Sequence, residues 1–138
     1  MRKRTQAREF ALQVLYQVDI TKDNYEVSLE NFWASHLEEN IEEELKQFAG
    51  ELVKGVVENL VEIDKKILQF ATNWRLERMA VVDRNILRMS SFELLFRDDI
   101  PPKVSINEAV ELAKKYSGLE AGKFVNAILD KIKLEKNK

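Results

Sequence analysis

Apolar residues recur at helical spacing through almost the whole chain. Ala7, Phe10, Ala11, Val14, Leu15 and Val18 define one stripe and predict a first helix. A loop around residues 21–24 follows. Leu29, Phe32, Trp33 and Leu37 then mark a second helix, with Ser28 as its N-cap. The longest run is Leu45, Phe48, Ala49, Leu52, Val53, Val56, Val57 and Leu60. It continues through Ile67, Leu68 and Ala71, with a break expected near Asn59. A further helix is predicted over residues 81–97. Ile100-Pro101-Pro102 stops it, because proline lacks the amide a helix needs and restricts the residue before it. Ser105-Ile106-Asn107-Glu108 has the form of a capping box. The helix it opens closes at Tyr116-Ser117-Gly118, where glycine suits a left-handed position. A last helix covers residues 120–133. The expected fold is all-α, with about six or seven helices joined by short loops.

Composition agrees with this pattern. Four glycines and two prolines are few breakers for a chain of 138 residues, a length that fits one compact domain over residues 1–138. No apolar run approaches the roughly 20 residues needed to span a bilayer. Arg8, Glu9, Gln13 and Gln17 interrupt any signal-peptide core behind the basic start. The chain contains no cysteine, which removes disulfides and thiolate chemistry and suits a reducing cytoplasm.

The net charge of -2 hides an uneven distribution. Arg2, Lys3, Arg4 and Arg8 crowd the start, with only Glu9 against them. Glu26, Glu30, Glu38, Glu39, Glu42, Glu43 and Glu44 dominate the next stretch. Lys131, Lys133, Lys136 and Lys138 close the chain. Cations at a helix N-terminus oppose the macrodipole, so local stability would prefer acids there. A phosphate backbone reverses that preference. The basic start therefore reads either as a solubilising tail or as a nucleic-acid contact.

Catalytic chemistry has little to stand on. The single histidine, His36, lies in an acidic helix beside Trp33 and Leu37. The carboxylates of residues 38–44 include i, i+4 pairs, but such runs are ordinarily a solvated face. No phosphate-binding glycine loop is present. The reading is a protein without metal or cofactor and without an enzymatic site.

Three aromatic residues stand off the apolar stripes. Tyr16 lies almost opposite the stripe of the first helix. Tyr116 flanks the face formed by Ile106, Ala109, Val110 and Ala113. Phe124 lies about 80° from the centre of the face made by Ala121, Val125, Ile128 and Ile132. Flanking aromatics beside basic groups such as Lys123 can stack unpaired bases; the alternative is that they pack between helices.

Four blocks carry a family resemblance. Arg4-Thr5-Gln6-Ala7-Arg8-Glu9-Phe10-Ala11-Leu12-Gln13-Val14-Leu15-Tyr16-Gln17 resembles the opening helix of the NusB family. Val82-Asp83-Arg84-Asn85-Ile86-Leu87-Arg88, followed by Phe92-Glu93-Leu94, resembles its central helix. Ile100-Pro101 with Val104-Ser105-Ile106-Asn107-Glu108-Ala109-Val110-Glu111-Leu112-Ala113-Lys114 is the most diagnostic block. Gly122-Lys123-Phe124-Val125-Asn126-Ala127-Ile128-Leu129-Asp130 completes the set. The blocks follow the family's order and spacing.

The resemblance implies two small helical bundles packed across each other. It implies a cytoplasmic transcription antitermination factor that binds single-stranded boxA RNA of nascent ribosomal RNA transcripts. Its partners would be the ribosomal protein NusE and the elongation complex, with a homodimer as a further state. By motif, RNA binding falls to Arg2, Lys3, Arg4, Arg8, Tyr16, Asp83, Arg84, Tyr116, Lys123 and Phe124. Thr5 and Gln6 stand where relatives often place arginine, which implies fewer phosphate contacts and more reliance on the partner. Two other classes remain open at this point: a helical protein-interaction adaptor, and a relative of the RNA-binding domain of ribosomal RNA methyltransferases.

Overall fold

A computed structural model describes residues 2–71 and 75–136. Lys138, counted above with the basic closing stretch, lies outside the described residues. Among the described residues every regular element is helical, and the chain divides into two compact units, Met1–Glu58 and Asn59–Lys138.

The N-terminal unit holds α1 (Lys3–Thr21), α2 (Tyr25–Ser35), a short 3-10 turn (Leu37–Glu39) and α3 (Glu43–Glu58). Ala7, Ala11, Val14 and Leu15 of α1 are buried with Leu45, Phe48, Ala49, Leu52, Val53 and Val56 of α3, as the stripes predict. Lys22 stops α1 in the left-handed region (φ 61°), its amide donating to the Val18 carbonyl at 2.8 Å. The N-cap of α2 is Asn24 rather than Ser28. The Asn24 Oδ1 accepts from the amides of Glu26 (2.8 Å) and Val27 (3.2 Å). Ser28 lies one turn inside and is buried. Phe10 of α1 meets Phe32 and Trp33 of α2 edge to face, each at 5.7 Å between ring centroids. His36 joins this aromatic cluster. Its Nδ1 lies 2.7 Å from the Phe32 carbonyl, so it closes the end of α2 as a structural residue.

The C-terminal unit holds α4 (Leu60–Phe70), a 3-10 turn (Leu76–Arg78), α5 (Val81–Phe96), α6 (Pro102–Tyr116) and α7 (Leu119–Lys136). The expected break falls at Asn59, between α3 and α4. Helix α5 packs against α4, α6 and α7, and buries Ile86, Leu87, Met89 and Leu94. The proposed capping box at residues 105–108 does not form. Pro102 instead occupies the first turn of α6, where its missing amide costs nothing, and this starts the helix four positions earlier. Ser105 is then interior and buried, and its hydroxyl donates to the buried Glu93 carboxylate of α5 at 2.8 Å.

The α6–α7 connection is tight. Gly118 has φ +113°, a conformation that side chains strain to adopt. Its amide reaches back to the Ala113 carbonyl at 3.0 Å. At Gly122 a Cβ would meet Lys114 Cγ at 2.9 Å, so glycine there lets the two helices approach. Charged ties brace the bundle: Arg88 grips Asp64 with two bonds of 2.8 and 3.0 Å, and Lys66 pairs with Glu135.

Candidate nucleic-acid interface

The N-terminal unit presents the basic start of α1. Arg2, Lys3 and Arg4 are exposed, and α1 has neither a side-chain cap nor an acid in its first turn. The counter-charge comes instead from α3 and the residue before it. Lys3 Nζ lies 2.9 Å from Glu42 and 3.4 Å from Glu44. The hydrogen bond to Glu42 is the main reason that the Lys3 ammonium ionises above the ordinary lysine value. The Arg4 guanidinium sits over the Phe48 ring at 4.3 Å.

Arg8 is a different case from its neighbours. It is 2% exposed, with its guanidinium 5.3 Å from the centroid of the same Phe48 ring. The family motif implies an RNA contact at Arg8; in the free chain its side chain is buried. Arg4 and Arg8 share one face of α1 and one ring, but Arg8 stands a turn further along the helix, where its side chain is enclosed. Tyr16 emerges on the outer side of α1 and is 41% exposed, as its angular position predicts.

The C-terminal unit presents a groove of about 580 Å³. Arg78, Met79 and Ala80 supply one wall, Asp83 the start of α5, and Ser117, Glu120, Ala121 and Phe124 the α6–α7 side. Asp83 occupies the first turn of α5, where the helix dipole favours a carboxylate, and it accepts from the Ser117 hydroxyl at 2.6 Å. That bond joins the two sides of the groove. Arg84, next in sequence, turns away: its Nη1 donates to the Leu76 carbonyl at 3.2 Å and holds the 3-10 turn in place.

Phe124 lines the groove and is half-buried, so its ring is shared between the bundle and the opening. Tyr116 is exposed at 42% and immediately precedes the groove residue Ser117, with Lys115 Nζ 5.5 Å from its ring centroid. Lys123 is exposed and lies 3.5 Å from Glu120, one turn earlier on α7. Asp83 and Phe124 thus share one groove, Tyr116 and Lys123 adjoin its lining residues in the chain, and Arg84 supports it from behind.

Arg78, Ser117 and Glu120 escape a reading of the sequence alone. Arg78 belongs to a short turn with no periodicity to interpret, and only folding places it beside Phe124. Glu42 and Glu44 escape for a similar reason: an acidic run looks like a solvated face until its partner across the bundle is known.

The chain has relatives among known proteins. The chain matches the model of the NusB family over residues 5–133. A transcription antitermination protein NusB from Anaeromyxobacter dehalogenans is 50% identical over 130 residues, covering 94% of this chain and 89% of that protein. The solved structure of T. maritima NusB superposes with a TM-score of 0.86 at 40% identity, covering 96% of this chain and 91% of that one. A crystal structure of the antitermination factors NusB and NusE in complex with double-stranded RNA matches with a TM-score of 0.85 at 34% identity, covering 98% of each chain.

Proposed function

Since the chain belongs to the NusB family, we propose that it acts as a transcription antitermination factor, binding boxA RNA of nascent ribosomal RNA transcripts together with NusE. The family match across residues 5–133 carries this reading. The complex of a 34% identical relative with NusE and RNA supports both partners. The protein is a non-enzymatic member of the cytoplasmic elongation complex. The methyltransferase-domain alternative is not favoured, because the curated relatives are named as antitermination proteins and match over nearly their whole length.

Each unit offers RNA its own chemistry. Arg2, Lys3 and Arg4 meet phosphates by charge, and Tyr16 offers an exposed ring on the same helix. The groove of the C-terminal unit offers Phe124 and, beside it, Tyr116 as stacking surfaces. Lys123 and Arg78 serve as nearby cations, and Asp83 as an acceptor for a base amino group. Arg8 and Arg84 act by holding α1 and the 3-10 turn in position.

The test is fluorescence anisotropy with boxA RNA, as single strand and as duplex, against a scrambled control, with and without NusE. Single-stranded boxA should bind more tightly than the scrambled strand, and more tightly still with NusE. Linkage requires that RNA tighten NusE binding by the same factor. Equal affinity for boxA and scrambled RNA in the presence of NusE would overturn the assignment.

A further inference from the structure

The N-terminal unit brings two oppositely charged stretches into contact. Lys3 Nζ lies 2.9 Å from Glu42 Oε2 and 3.4 Å from Glu44 Oε2. The partners are far apart in the chain, with Glu44 41 positions beyond Lys3. Beside them Arg4, Glu44 and Glu51 line a small cavity of about 170 Å³. The Lys3, Glu42 and Glu44 side chains are each more than half exposed, at 56%, 59% and 74%. Two carboxylates therefore converge on one accessible ammonium, as phosphate oxygens would. Exposed pairs of this kind are weak and screened by salt, so an incoming anion can displace them.

We propose that Glu42 and Glu44 form an internal competitor for RNA phosphate, holding Lys3 on the chain's own carboxylates until RNA displaces them. The inference rests on the RNA-binding reading above. Its logic is that binding must break the Lys3 contacts before the ammonium can serve a phosphate. Glu42 and Glu44 thereby weaken the charge-based part of RNA binding, which boxA and a non-specific strand share. The raised ionisation of Lys3 agrees with this contact.

The experiment compares the full chain with its Glu42→Gln/Glu44→Gln variant, using single-stranded boxA and scrambled RNA at low and high salt. At low salt the variant should bind RNA about 3- to 10-fold more tightly, with the gain shrinking as salt rises. In a Lys3→Ala background the same two substitutions should change affinity by less than about twofold. Glu38→Gln, an exposed acid of the same stretch, should likewise change it by less than about twofold. No gain on Glu42→Gln/Glu44→Gln, or an equal gain with and without Lys3, overturns the competitor. An RNA-free measurement separates the two layers: the Lys3 side chain, followed by NMR against pH, should titrate closer to 10.5 in the variant than in the parent chain. Identical titration means that the contact is absent. A clear difference, in a protein that binds neither RNA, removes the RNA-binding reading and the competitor role with it.

Discussion

The two units handle charge differently, although each buries an acid, Asp19 in the first and Glu93 in the second. In the N-terminal unit cations are drawn inward or onto acids of the same chain: Arg8 is buried over Phe48, Arg4 covers the same ring, and Lys3 is held by Glu42 and Glu44. In the C-terminal unit the buried charge among the described residues is an acid, Glu93, bonded to Ser105, and the exposed feature is a groove with a half-buried ring. The first unit offers an electrostatic surface; the second offers shape. Salt should erode the contribution of the first and largely spare stacking in the second.

The sharpest way to break this contrast is Arg8→Ala. Emptying a buried long side chain should cost about 2–4 kcal/mol of folding stability, read from the urea midpoint. An unchanged midpoint with lost RNA affinity would return Arg8 to the binding surface and erase the difference from Arg4. Next comes the groove. Tyr116→Ala should lose about 1–3 kcal/mol of RNA affinity with little change in melting temperature, whereas Phe124→Ala should lose affinity and stability together because its ring is half-buried. If both variants mainly unfold while the folded fraction binds boxA normally, the rings are structural and recognition lies along α1.

Asn24→Ala probes the N-terminal unit away from RNA. Loss of its two cap bonds should cost about 1 kcal/mol of stability, while Ser28→Ala leaves the α2 cap intact. Calorimetric melting distinguishes the two substitutions. The smallest effect belongs to Arg4→Ala. If Arg4 makes one phosphate contact, its removal should flatten the log–log salt dependence of RNA binding by roughly 0.7. An unchanged slope would place Arg4 on Phe48 in the complex as in the free chain.

Helix periodicity made the architecture legible. The break at Asn59, the Gly118 turn and the outward Tyr16 follow from spacing and backbone preference alone, since each depends on neighbours within a turn or two. Capping was less legible because several residues could do the same work. Asn24 and Ser28 both suit an N-cap, and Pro102 competes with Ser105 for the start of α6. Function depended on contacts between distant segments. The fate of Arg8 turns on Phe48, Lys3 on Glu42, and Arg78 on Phe124. No local pattern encodes those pairings, so a run of basic residues looks uniform until folding sorts it into buried, covered and ion-paired members.

Each unit is one uninterrupted stretch of chain, with the division between Glu58 and Asn59. During synthesis all of α1 to α3 exists before any residue of the groove has been added. Domains generally form as units from the N-terminal side while the ribosome adds about 5–20 residues per second. Phe124 therefore follows Glu58 by on the order of several seconds. Through that interval the nascent chain carries the helical unit with the basic start and its acidic counterpart, but no groove.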